Sequence, residues 1–88
     1  MLTHFSGDVS FLLPDGAVEL AHCDARFVRE RWQGTVHLRS FSRGLERGDV
    51  CRLVGDKLGN LRVVIIDQVA SKRFEFVALV KPDPFEAL

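Results

Sequence analysis

Leu61-Arg62-Val63-Val64-Ile65-Ile66-Asp67 decides the fold class of this chain. Four consecutive β-branched residues, Val63 to Ile66, are stiff at χ1 and suit a pleated backbone far better than a helix. Side chains alternate along a strand, so Val63 and Ile65 point one way and Val64 and Ile66 the other. A strand apolar on both sides belongs in the middle of a sheet or barrel, and all four residues are expected to be buried. Asn60 and Asp67 mark its ends.

Five further strands read outward from it. Val9 to Leu13 alternates Val9, Phe11 and Leu13 on one face, and Pro14-Asp15-Gly16 is strong turn chemistry. Ala17 to Cys23 returns as the second arm of a hairpin, with Val18, Leu20 and His22 set against Glu19. Asp24 to Gln33 carries no clear period and reads as extended or irregular. Gly34 to Arg39 follows, with Val36 and Leu38 inward; Ser40 to Arg47 is a loop around Gly44. Asp49 to Val54 precedes the central strand and Phe74 to Val80 follows it, ended by Pro82. The expectation is an all-β domain over residues 1–81, a six-stranded barrel or two-sheet sandwich, with an extended tail over 82–88.

Gly7-Asp8-Val9-Ser10-Phe11-Leu12-Leu13 is echoed 41 residues later by Gly48-Asp49-Val50-Cys51-Arg52-Leu53-Val54. Each copy then reaches a glycine, Gly16 or Gly59, and runs eight residues to an aspartate, Asp24 or Asp67. The echo admits two readings: a duplicated three-stranded unit, or chance likeness between two hairpins. Two such units would make a six-stranded barrel, which also removes exposed sheet edges. The second half resembles many small barrels, including connector proteins of tailed phages and SH3-like or OB-like modules. That resemblance covers about half the chain and assigns no residue.

Eighty-eight residues leave room for one core, and a hydrophobic fraction of 47% argues against disorder. No apolar run approaches the roughly 20 residues of a membrane helix. Met1 to Phe5 lacks the basic region and cleavage pattern of a secretory signal. Cys23 and Cys51 fit reduced thiols rather than a disulfide scaffold, so a cytoplasmic location is expected.

Little in the chain points to catalysis, a metal or a cofactor. His22, Cys23 and Asp24 are consecutive, but neighbours on a strand face opposite ways and cannot converge on one atom. His22 is expected to be partly buried and Cys23 to be an inert core thiol. His4, His22, Cys23, His37 and Cys51 include no short paired spacing of the kind zinc sites use. Gly44 to Asp49 lacks the Gly-Lys-Ser/Thr ending of a phosphate loop, and Arg47-Gly48-Asp49 reads as a strand-entry turn.

Charge is the informative feature. The net charge is zero, yet residues 26–47 carry six arginines against two glutamates. Arg26, Phe27, Arg29, Arg31, Trp32, Arg39, Arg43 and Arg47 therefore form the candidate partner-binding set, because Arg and Trp dominate interface hot spots. Another protein, or a second copy of the chain, is the expected partner, with tail residues Phe85 and Leu88 as candidate self-association contacts. The alternative is single-stranded nucleic acid, with arginines on phosphates and Trp32 or Phe27 stacked on bases. In either case the chain is read as a binding or assembly module rather than an enzyme.

Overall fold

A computed structural model describes residues 3–40 and 45–79; Arg43 and the tail with Phe85 and Leu88 lie outside the described residues. Six strands are present: β1 (His4–Leu12), β2 (Val18–Val28), β3 (Arg31–Leu38), β4 (Val50–Gly55), β5 (Gly59–Ala70) and β6 (Arg73–Ala78). They close into a barrel in the order β1-β2-β3-β6-β5-β4, and all neighbours are antiparallel. Barrel, not sandwich, is the architecture. Among the described residues no helix is long and apolar enough to cross a membrane.

The interior is filled by setting large side chains against small ones. Phe5 lies opposite Ala25, Gly7 opposite Cys23 and Val9 opposite Ala21 across β1 and β2. Gly34 lies opposite Phe76 and Val36 opposite Phe74 across β3 and β6. Phe11, Phe74 and Phe76 are fully buried, and a barrel this narrow holds them only where facing positions are small. Gly34 is the extreme case: a Cβ there would overlap the Asp24 carbonyl oxygen and come within 2.7 Å of Ala25 Cα.

This packing corrects three expectations. The inward face of β2 is Ala21, Cys23 and Ala25, whereas Val18 (59% exposed), Leu20 (62%) and His22 face solvent. Their larger apolar bulk made Val18 and Leu20 look like the core face, but the pairing with β1 puts the small residues inside. In β5, Val63 and Ile65 are buried as expected, while Val64 is only half-buried and Ile66 is exposed. A single-layered barrel has one interior, and among the described residues no second layer covers its outer wall. Ile66 also sits at a break in pairing, where β5 bulges against β6 between Ile65 and Asp67. Finally, residues 24–33 are regular: β2 runs on to Val28, turns through Arg29-Glu30 and returns as β3.

The two halves are matching three-stranded meanders, but at a shift of 42 residues rather than 41. Asp8 pairs His22 in β1–β2, and the shift carries that pair onto Val50↔Val64 in β4–β5. The hairpin turns Arg29-Glu30 and Ser71-Lys72 are also 42 apart. Both seams obey the same pseudo-two-fold, since Ser10↔Val54 maps onto Leu12↔Arg52 and Gln33↔Val77 onto Thr35↔Glu75. The shift of 41 suggested by the paired Gly-Asp sequences sets buried Phe11 against outward Arg52. At 42, buried Val9, Phe11, Ala21 and Cys23 meet buried Cys51, Leu53, Val63 and Ile65.

Candidate interaction surfaces

The β2–β3 hairpin gathers most of the candidate residues. Val28 pairs with Arg31, leaving the two-residue turn Arg29-Glu30 with φ of 52° and 65°. Two consecutive left-handed residues are the signature of a type I′ turn, whose twist matches that of the strands. Neither residue is Gly or Asn, so each holds this conformation at roughly 1 kcal/mol or more. Arg26, Val28, Arg31 and Gln33 face outward, while Phe27 and Trp32 pair across the inner face. Their rings lie 5.5 Å apart, tilted by 57°, and Trp32 packs on the core.

Arg26, Arg29 and Arg31 are exposed, and among the described residues none has a hydrogen-bond or ion-pair partner. Beside them the outer wall is apolar. One lateral row runs His4, Arg26, Gln33, Val77, Val64, Val50 around the barrel. Arg29, Glu30, Arg31, Val64, Val77, Ala78 and Leu79 line a depression of ≈ 490 Å³ there.

The remaining candidates are not brought to this surface. Arg39 follows β3 and spends its guanidinium on Asp8, donating from Nη2 to Oδ2 at 3.0 Å. Arg47 is exposed in the turn that enters β4, where Gly48 takes a φ of 96° and donates its N–H to Ile65 O. The chain has crossed to the other end of the barrel by then. Phe27 and Trp32 face the interior, opposite to the arginines that flank them in sequence.

A second cluster was not legible in the sequence. On the outer wall of β1 and β2, His4 Nε2 lies 2.9 Å from Asp24 Oδ1, and Ser6 Oγ lies 3.4 Å from His22 Nε2. His22 Nδ1 is 3.5 Å from Asp8 Oδ1. His22 and then Arg39 hold the Asp8 carboxyl below the usual carboxylate range. The order Ser6–His22–Asp8 imitates a nucleophile, base and orienting acid. Both links are longer than the 2.6–3.2 Å of a working relay, Asp8 is shared with Arg39, and each group is open to water. Only the β1–β2 register, with Asp8 opposite His22 and Ser6 opposite Asp24, assembles this wall. Cys23 and Cys51 are free and buried, and burial pushes each thiol up to about 12, helped by Asp24 and Asp49 respectively. Among the described residues no group of three or more His, Cys, Asp or Glu is placed to hold a metal ion.

The barrel seam supplies a third feature. β1 pairs with β2 along its whole length but with β4 only at Ser10, Phe11 and Leu12. Below those residues β1 diverges from the β4–β5 turn. The gap is a groove of ≈ 650 Å³ lined by His4 to Ser10, Leu20 and Val54 to Lys57. In an antiparallel ladder, alternate residues turn their N–H and C=O to the same neighbour. Phe27 N–H bonds Thr3 O and Leu13 N–H bonds Ala17 O, so odd-numbered residues of β1 face β2. His4, Ser6 and Asp8 therefore present their backbone groups to the groove. Among the described residues no strand covers them.

Comparison with protein-family models, with curated proteins and with solved structures finds no match.

Proposed function

We propose that this small β-barrel is a protein-interaction module that docks an acidic, partly apolar segment of a partner on the β2–β3 hairpin. The observation that carries this reading is the set of Arg26, Arg29 and Arg31, without a partner among the described residues, beside exposed Val28 and Leu79 and the half-open Val50–Val64–Val77 row. Fork-shaped guanidinium groups around an apolar strip suit carboxylates flanking aliphatic anchors. The positive-φ turn supports it too, since strain kept without glycine fits a site where the side chains are needed. Single-stranded nucleic acid is the weaker reading, because Phe27 and Trp32 pack against each other at a tilt on the inner face of the hairpin, away from the arginines.

Fluorescence anisotropy with two probes tests this, an acidic peptide carrying leucines and an oligothymidylate, each titrated at several salt concentrations. The peptide should bind, weaken with salt, and be lost in Arg29→Glu/Arg31→Glu. Tight oligonucleotide binding with a steep salt slope would favour nucleic acid instead. Binding of neither probe removes the hairpin as the contact surface.

A further inference from the structure

We infer that the open half of β1 is a self-pairing edge, and that two copies of this chain associate there as an isologous dimer. The inference uses a different surface from the hairpin and stands independently of it. His4, Ser6 and Asp8 carry edge-facing N–H and C=O groups that no described strand takes up. Unpaired edges of this kind are templates for another strand.

The sequence of the edge selects the occupant. Antiparallel pairing of two β1 strands about Ser6 sets His4 opposite Asp8 of the second copy, and Asp8 opposite its His4. Ser6 meets Ser6 on the axis. This register uses all three free residues of both chains, each pair exchanging two N–H···O bonds. On the outer face it sets the His4 imidazole, which bonds Asp24 in its own chain, opposite an Asp8 carboxylate that also holds Arg39 and His22, and does so twice; opposite charges directly across a ladder are favourable. On the inner face it places Phe5 opposite Gly7 of the second copy, a ring over a residue without a side chain. Within one copy the Phe5 ring already lies over Gly7, where a Cβ would come within 3.2 Å of it, so this residue is small for a reason internal to the barrel. Leu20 and Val54, which line the groove, supply apolar surface at the rim. Symmetric self-complementarity of this sort is what a two-fold interface requires. The paired stretch is short, so the dimer belongs to the weak, micromolar class.

The test is sedimentation velocity of the full chain over a concentration series at pH 6. The wild type should show a monomer–dimer equilibrium. His4→Asp alone and Asp8→His alone each set like charges opposite one another, and each should weaken association roughly tenfold. Mixing the two variants restores opposite charges at both positions, and the heterodimer should recover the wild-type affinity. An effect of either substitution inside one barrel would not be rescued by mixing. Ser6→Pro removes an edge donor that β2 does not use, so it should abolish the dimer and leave the circular-dichroism spectrum unchanged. If Ser6→Pro fails to fold, the mixing experiment decides alone. A wild type that is monomeric into the millimolar range overturns the inference. So does a dimer indifferent to these variants, or single-variant losses that mixing does not repair.

Discussion

Cys23 and Cys51 show what burial does to a single side chain. Both thiols sit inside, and desolvation keeps them protonated up to about pH 12 against an ordinary value of 9.0. A thiolate is the reactive form, so neither should react with Ellman's reagent in the native state at pH 8, and both should appear on unfolding. The folded pKa is raised, so this contribution to stability is fully present below pH 9 and is lost as pH rises toward 12. Chemical denaturation midpoints should therefore fall across that alkaline window, and Cys23→Ala/Cys51→Ala should flatten the fall. Asp8 behaves in the opposite sense: its pKa is lowered, so its contribution is present above pH 3.8 and fades as pH drops further. Gly34 is the residue that tolerates least. Gly34→Ala drives a methyl group into the backbone of β2 and should cost about 3 kcal/mol or more in urea titration.

Strands differ in how much of themselves they declare. β5 was legible from Val63 to Ile66, because four β-branched residues leave no helical alternative. Which of its faces is inside was not, since both are equally apolar and only barrel closure separates them. Ile65→Ala should cost about 2–5 kcal/mol through lost burial and a cavity, whereas Ile66→Ala should stay within about 1 kcal/mol, measured by the same titration. β2 misled for a physical reason. Its inner positions are small because Phe5, Phe11, Phe74 and Phe76 occupy the space, so hydropathy pointed at Val18 and Leu20 on the outside. The Arg29-Glu30 turn was hidden because it uses left-handed backbone without the Asn-Gly that announces it. Arg29→Asn/Glu30→Gly should raise stability by about 1 kcal/mol or more, read as a higher melting temperature, while weakening the acidic peptide.

At the scale of the whole molecule, two matching meanders close on each other through seams that are not equally long. β3 and β6 pair over five positions and β1 and β4 over three, so among the described strands the first half of β1 is bordered by β2 alone. Composition showed that arginines crowd the middle of the chain. It could not show that Arg39 is committed to an aspartate 31 residues away while Arg26, Arg29 and Arg31 have no partner among the described residues. Arg29→Glu/Arg31→Glu should accordingly leave the melting temperature nearly unchanged, since solvated charges without partners contribute little. Backbone amide exchange followed by NMR in dilute solution tests the closed barrel with its half-open strand most directly. Protection should alternate along β1: Phe5, Gly7 and Val9 protected by β2, and His4, Ser6 and Asp8 exchanging freely between them, gaining protection as concentration rises. Uniform protection, or uniform exchange, from His4 to Val9 in dilute solution would contradict it.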